Sequence, residues 1–194
     1  MKIVGLTGSL TSSSKTFIAV DKALNFAKKH NPDIETIHLH LKDLSVDYCD
    51  GRDPSLYEAD TKYLIDQITS ADGYIIGSPI YRGTYTGALK NVFDLIPNDV
   101  LRGKVVGFIA TGGTYHHYLA LEHQFKPLAG YFKAHVIPGS VYIHNEHFVN
   151  KQLSNDEIIE RLEALASDVV SLTSLIDKRF EGAHQPAIPR KVLV

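Results

Sequence analysis

The sequence is poor in the features that mark extracellular, membrane-spanning and nucleic-acid-binding proteins. Its single cysteine, Cys49, has no partner for an internal disulfide, which fits a reducing compartment. No stretch approaches about 18 consecutive apolar residues, and the first residues do not form a basic segment followed by a long apolar run. Lys and Arg form no block, and the formal net charge is −2. We therefore expect a cytoplasmic protein that has neither a membrane nor a nucleic acid as its partner.

Several catalytic and nucleotide-binding signatures are missing as well. The tripeptide Gly-Lys-Ser/Thr that ends a triphosphate-binding loop does not occur, and neither does the G-x-G-x-x-G pattern of a dinucleotide-binding fold. There is no Ser-His-Asp set and no carboxylate pair, so we predict no catalytic side chain. Among the 10 histidines, His116 and His117 point to different sides of a helix and His123 lies two turns from His116. We predict no metal site.

What is present is an ordinary globular composition with alternating strands and helices. Hydrophobic residues make up 44% and charged residues 22% of the chain, which favours one domain over residues 1–180 with a tail at 181–194. Apolar runs predict strands at 2–6, 34–39, 74–77, 104–110 and 134–143, the last with a break at Pro138-Gly139. Helical periodicity predicts helices over 14–30, from Ser55, over 87–96 and over 115–132, and a last helix from Ser154.

The helix starts and the last helix carry specific expectations. Ser55 with Glu58, and Ser154 with Glu157, have the spacing of capping boxes. The first helix should bury Phe17, Val20, Leu24 and Ala27, and the second should bury Leu56, Tyr63, Leu64 and Ile68. The last helix has an apolar seam that fits core packing better than a subunit interface: Ile158, Leu162, Leu165, Val169, Leu172 and Ile176.

Alternation of strand and helix predicts an α/β fold with a five-stranded parallel sheet. With right-handed crossovers and five strands, the common doubly wound arrangement is the flavodoxin-like order 2-1-3-4-5. Ligands of such sheets bind at the carboxyl ends of the strands, near strands one and three. The loops after strands one, three and four should therefore open onto one crevice.

The loop after the first strand has the composition of a phosphate cradle. It runs from Thr7 to Thr16 through Gly8 and a series of hydroxyls, and it leads into a helix N-terminus. Backbone N–H groups and the positive end of the helix dipole favour an anion there. Because the donors are mostly neutral hydroxyls, the loop suits a single terminal phosphate bound without metal, such as the ribityl phosphate of FMN. The alternative is that this loop is only a serine-rich segment that caps the helix.

The other two loops suit a flat heteroaromatic ring. Pro79, Ile80 and Tyr81 offer apolar walls, and backbone N–H groups near Gly83 can reach polar ring atoms. The segment Thr111 to Thr114 should open a helix whose amides and dipole stabilise a reduced, anionic flavin. Arg82 flanks the ring loop and is either a contact for the 2′-phosphate of NADPH or a solvated loop arginine.

These motifs resemble the NADPH-dependent FMN reductase family over residues 1–143. The residues that carry the resemblance are Gly8-Ser9 with Ser14 and Thr16, Ser78 to Tyr81, Thr86 to Asn91, and Ala110 to Gly113. Asp94 to Pro97 and Lys126-Pro127 make the chain most similar to the reductase components of two-component alkanesulfonate monooxygenases. The resemblance implies that NAD(P)H reduces FMN, that reduced FMN passes to a partner monooxygenase, and that the protein is a homodimer or homotetramer.

The resemblance also assigns site residues by motif position. Ser9, Ser14 and Thr16 would hold the phosphate; Pro79, Ile80, Tyr81, Arg82 and Gly83 would hold the ring; Thr111, Gly112 and Gly113 would lie at its other end. Many relatives have Arg where this chain has Thr11, a departure for which Lys15 would compensate unless phosphate affinity is lower. In this subgroup a residue inserted in the fourth helix affects flavin retention, and His123 takes that position.

Two other functions remain open at the level of the sequence. One is an FMN-containing NAD(P)H reductase of quinones or azo compounds that keeps its flavin as a prosthetic group. The other is a flavodoxin-type electron carrier without enzymatic activity. A net charge of −2 disfavours the carrier, since such proteins dock through an acidic face.

Overall fold

A twisted parallel sheet forms the centre of the protein. The computed structural model describes residues 1–176, so the predicted tail 181–194 lies outside the described residues. The central strands are β1 Lys2–Thr7, β2 Glu35–His40, β3 Gly73–Pro79, β4 Val105–Gly112, β5 His135–Val136 and β6 Val141–His144. A small antiparallel hairpin follows, with β7 Phe148–Val149 and β8 Gln152–Leu153. The α-helices are α1 Lys15–His30, α2 Ala59–Ser70, α3 Gly87–Leu95, α4 Lys126–Tyr131 and α5 Asp156–Leu175.

The sheet order is β2-β1-β3-β4-β5, with β6 also paired to β4, and every one of these pairings is parallel. The fifth position of the sheet is thus shared by two short strands, and the chain between them contains Pro138 and Gly139. Proline has no N–H to donate to a ladder, which explains the break at the predicted place. The flavodoxin-like α/β fold with the order 2-1-3-4-5 is confirmed.

Each face of the sheet has its own apolar core. One core joins β-strand residues such as Ile3 and Ile109 to helices α1 and α5, through Val20 and Leu162. The other lies under α2, α3 and α4 on the opposite face. The seam of α5 packs inward, with Ile158, Leu162, Leu165 and Val169 buried and Leu172 and Ile176 packed against the core. Core packing is therefore the right interpretation of that seam.

Both predicted capping boxes are wrong, because a neighbouring side chain takes the cap. Asp53 accepts hydrogen bonds from the N–H and hydroxyl of Ser55, which caps a short 3-10 helix at Pro54–Leu56. Helix α2 then begins only at Ala59. Helix α5 is capped by Asn155, whose side chain accepts from the Ile158 N–H, and not by Ser154.

The burial expected of the first two helices is partly wrong. Leu56 lies outside α2 and is 54% exposed, and Tyr63 on the outer side of α2 is 45% exposed, whereas Leu64 and Ile68 are buried. In α1, Phe17 is only half-buried, and its ring stacks on that of His38 with a centroid distance of 4.3 Å.

The prediction of one long helix over 115–132 is wrong. Residues Tyr115–His117 form one 3-10 turn, Leu121–Phe125 form a π-helix, and only Lys126–Tyr131 is α-helical. Pro127 has no N–H, so the α-helical bond to the His123 carbonyl cannot form, and the Lys126 N–H donates to Leu121. None of the helices within residues 1–176 is long and apolar enough to cross a bilayer.

Candidate functional site

The loops after β1, β3 and β4 meet in one cleft of about 250 Å³ at the carboxyl end of the sheet. Every residue that the sequence predicts for the site lines this cleft, except Arg82 and Gly83. The lining residues are Ser9, Thr11, Ser13, Ser14, Lys15, Thr16, Pro79, Ile80, Tyr81, Thr111, Gly112, Gly113 and Asn145. Three segments far apart in the sequence thus form one surface.

The first loop presents hydroxyls and backbone N–H groups to the cleft. Ser14 is the N-cap of α1, and its hydroxyl accepts from the Phe17 N–H at 3.0 Å. The Ser9 and Thr11 hydroxyls lie 3.0 Å apart, and the Thr11 N–H donates to Ser9. The cap leaves the first two amides of the helix, those of Lys15 and Thr16, without an acceptor inside α1. This is the donor set that an anion requires at a helix N-terminus.

The first loop is fixed to the sheet from behind. Thr16 and Thr111 share a buried hydrogen bond of 2.6 Å, which joins α1 to β4. At the end of β1, the Thr7 hydroxyl lies 2.8 Å from His38 Nε2 on β2. Burial lowers the pKa of His38 against the opposing effect of Asp21, so the neutral ring is favoured there.

The second loop is tied to both of its neighbours. The Ile80 N–H donates to the Thr111 carbonyl at 2.8 Å, and the Thr86 hydroxyl donates to the Gly8 carbonyl at 2.6 Å. Thr86 also caps α3 by accepting from the Leu89 N–H. These bonds hold the cleft wall of Pro79, Ile80 and Tyr81 in place against the first and third loops.

Arg82 and Gly83 form the tip of this loop, outside the cleft lining. Tyr81 and Thr84 pair across a two-residue turn in which Arg82 has φ 54° and Gly83 has φ 86°. Positive φ at both central residues is the geometry of a type I′ turn. The structure therefore places the two residues next to the cleft and not in its wall.

The third loop differs from the prediction in its backbone. Strand β4 continues through Gly112, and only the 3-10 turn Tyr115–His117 follows, capped by the Thr114 hydroxyl. The expectation that Gly112, Gly113 and Thr114 open a helix with a full dipole is wrong. Gly112 instead makes room for Tyr142, since a Cβ there would overlap the Tyr142 hydroxyl, which donates to the Thr114 carbonyl at 2.6 Å.

Ser13 and Asn145 line the cleft although the sequence did not single them out. Asn145 lies 130 residues after Lys15 and accepts from Lys15 Nζ at 3.0 Å. No local pattern links residues so far apart. For Ser13, the hydroxyl-rich composition of the first loop was the signal that pointed to it.

His123 lies in the π-helix Leu121–Phe125, on the exposed side. It does not line the cleft of the three loops, but a separate groove of about 480 Å³ between α3 and α4. A further cavity of about 500 Å³ beyond Tyr115 contains none of the predicted site residues.

The residues of the cleft fit FMN in three respects. Its hydroxyls and free helix amides match one phosphate. The half-buried Pro79 and Ile80 and the exposed Tyr81 provide apolar surface for a flat ring. Backbone at Gly112 and Gly113 gives access to polar ring atoms without side-chain bulk.

Comparison with known proteins agrees with this fit. Residues 1–148 match the family model of NADPH-dependent FMN reductases. An NAD(P)H-dependent FAD/FMN reductase of Geobacillus thermodenitrificans is 49% identical over 186 residues, covering 95% of this chain and 100% of that protein. An FMN reductase (NADPH) of Escherichia coli is 32% identical over 153 residues, covering 77% of this chain and 76% of that protein.

Solved structures show the same architecture. The apo form of the NADH:FMN oxidoreductase EMOB superposes with a TM-score of 0.76 at 28% identity, covering 91% of this chain and 90% of that one. A flavodoxin from the domain Archaea superposes with a TM-score of 0.61 at 12% identity, covering 90% of this chain and 99% of that one, a likeness of fold alone. Family model, relatives and structures together show that this chain belongs to the NADPH-dependent FMN reductase family, whose members are oxidoreductases that use FMN and a nicotinamide nucleotide.

Proposed function

We propose that the cleft of the three loops is where this chain binds FMN for reduction by NAD(P)H. The phosphate lies on the first loop, against Ser9, Thr11, Ser14, Lys15 and Thr16. The ring lies along residues 79–83, with its pyrimidine end toward Thr111, Gly112 and Gly113. The observation that carries the proposal is the convergence of all three loops on one cleft.

Bound FMN supplies the acceptor for the hydride of the nicotinamide. The side chains of the cleft bind and align, and none of them needs to donate or accept a proton for hydride transfer. Pro79 and Ile80 form a wall whose position is fixed by the Ile80 to Thr111 hydrogen bond. Preorganised alignment of this kind is what raises the rate of a transfer between two stacked rings.

Reduced FMN then leaves the cleft and serves a partner flavin-dependent monooxygenase. Two features support an exchangeable flavin. Apart from Lys15, the first loop offers neutral donors and has no guanidinium group, and the wall of Pro79, Ile80 and Tyr81 is open, with Tyr81 52% exposed. We further propose a cytoplasmic homodimer or homotetramer with its catalytic domain in residues 1–180.

Steady-state oxidation of NADPH and NADH, measured while free FMN is varied, tests this function. A rate that saturates with added FMN is expected, because FMN is then a substrate that exchanges in every cycle. The same assay with a quinone or azo acceptor provides the contrast. A rate that is independent of FMN but driven by such an acceptor would contradict flavin release. No oxidation of NADPH or NADH at all would favour the function of an electron carrier.

A further inference from the structure

The hairpin of β7 and β8 lies against the first loop. Its two-residue turn consists of Asn150 with φ 49° and Lys151 with φ 63°. Positive φ at both positions makes the tight turn that the hairpin needs, and it places Lys151 at the tip. From there Lys151 Nζ donates to the Ser13 hydroxyl at 3.3 Å. A residue beyond position 148, where the match to the family ends, thus reaches the first loop.

The base of the same hairpin holds the second lysine of the site. Lys15 Nζ donates to Asn145 Oδ1 at 3.0 Å and to the Asn145 carbonyl at 3.4 Å. It also lies 5.5 Å from the centre of the Phe148 ring, at the start of β7. The segment 145–151 therefore contacts the first loop at two points. One ammonium group, that of Lys151, comes from the segment, and the other, that of Lys15, comes from the end of the loop itself.

These two ammonium groups lack a counter-charge in the described part of the chain. Five other lysines pair with carboxylates, namely Lys29, Lys42, Lys62, Lys90 and Lys126, whereas Lys2 and Lys28 donate to neutral groups far from the cleft. Within residues 1–176, Lys15 and Lys151 face only hydroxyl, amide, carbonyl and ring groups. Two cations beside a set of hydroxyl donors create a positive potential that an anion satisfies.

We propose that Lys151 is a phosphate-binding residue of this protein and that the hairpin closes over the phosphate end of FMN. It adds a second positive charge to that of Lys15, in a first loop whose other side-chain donors, Thr11 among them, are neutral hydroxyls. The inference rests on the proposed binding of FMN in this cleft. A phosphate monoester carries a charge of about −1.5 to −2 near pH 7, so an ammonium within reach stabilises it directly.

Riboflavin provides the matched probe, because it has the ring of FMN without the phosphate. The dissociation constants of FMN and riboflavin are measured by flavin fluorescence for the wild type and for three variants. Lys151→Asn removes the charge with a residue that tolerates positive φ, and Lys151→Arg keeps the charge. Gln152→Ala, at the next and exposed position of the hairpin, is the control.

The expected result is specific to the phosphate. Lys151→Asn raises the dissociation constant of FMN by about three- to tenfold and leaves that of riboflavin unchanged. Lys151→Arg and Gln152→Ala bind both flavins as the wild type does. Added salt lowers the preference for FMN less in Lys151→Asn than in the wild type, since one ion pair is gone.

Two outcomes would overturn the inference. Unchanged FMN affinity in Lys151→Asn, including the case in which only the KM of NADPH rises, shows that Lys151 does not bind this phosphate. An equal loss for FMN and riboflavin shows a structural effect of the hairpin. The proposed function fails separately, and the inference with it, if the wild-type protein binds riboflavin as tightly as FMN.

Discussion

At the scale of the residue, Ser14 combines two roles that substitutions can separate. Its hydroxyl caps α1 and also lines the cleft. Asn and Asp are both good N-caps, so the free energies of unfolding of Ser14→Asn and Ser14→Asp should lie within about 1 kcal/mol of that of the wild type. Only Ser14→Asp puts a negative charge against the phosphate. We expect it to weaken FMN binding by more than about tenfold relative to Ser14→Asn, without weakening riboflavin binding.

Parallel fluorescence titrations and thermal unfolding measure both properties in this pair. Equal FMN affinity in Ser14→Asp and Ser14→Asn would contradict the assignment of the FMN phosphate to the first loop.

Gly112 is required by its neighbour Tyr142. A Cβ at Gly112 would overlap the Tyr142 hydroxyl and lie 3.0 Å from its Cζ atom. We expect Gly112→Ala to lower the free energy of unfolding by about 1–3 kcal/mol, the usual cost of overpacking. Because Tyr142→Phe removes the clashing oxygen, the double variant should lose less stability than the two single changes together. Urea unfolding of the four proteins measures this, and simple additivity would disprove the clash.

The position of single residues in the cleft was readable from the sequence where one loop supplies them, whereas their contacts with FMN stay a prediction. The hydroxyls of the first loop and the apolar wall at residues 79–81 line the cleft as expected. The purpose of Gly112 was not readable, since it depends on Tyr142, which is 30 positions further along and is brought next to it by the pairing of β6 with β4.

At the scale of the element, the turn at Arg82 and Gly83 directly follows the wall of Pro79, Ile80 and Tyr81 and holds its last residue through the pairing of Tyr81 with Thr84. Gly83 has φ 86°, and a Cβ there would meet nothing within 4 Å, so the cost of Gly83→Ala is purely conformational. We expect a loss of about 1 kcal/mol in stability and equal weakening of FMN and riboflavin binding, because both use the ring wall.

The control for that turn is Gly87→Ala, which also has open space but lies at the first position of α3. It should leave flavin binding unchanged in the same titrations. A Gly83→Ala variant that affects FMN alone would contradict a role in holding the ring.

Leucine substitutions in α5 test whether its apolar seam belongs to the core. Leu162 is 0% exposed between α5 and the sheet, whereas Leu175 at the end of the same helix is 80% exposed. Leu162→Ala should cost about 2–5 kcal/mol of stability and Leu175→Ala less than about 0.5 kcal/mol. Chemical unfolding at two protein concentrations measures both. A cost of Leu162→Ala that depends on concentration would instead indicate a subunit interface.

Element boundaries were less predictable than element order, for local physical reasons. A capping-box spacing at Ser55 or Ser154 does not reveal that Asp53 or Asn155 is better placed to accept the hydrogen bonds. The periodicity across 115–132 is helical, but the hydrogen bonds form a 3-10 turn, a π-helix and a short α-helix there. Hydrophobic pattern identifies a helix, while single hydrogen bonds decide where it begins and ends.

At the scale of the whole molecule, sheet topology explains why a candidate site could be predicted at all. Parallel strands in the order β2-β1-β3-β4-β5 bring the loops after β1, β3 and β4 to one edge. The contact of the β7–β8 hairpin with the first loop joins residues 138 positions apart. No periodicity encodes such a contact, so Lys151 emerges only from the folded chain.

The most direct measurement of the central claim is the affinity of the wild-type protein for FMN and for riboflavin at low salt. We expect FMN to bind at least about tenfold more tightly, a difference of about 1.4 kcal/mol that the phosphate alone provides, and salt to reduce this preference. Equal affinity for the two flavins would contradict a phosphate site on the first loop.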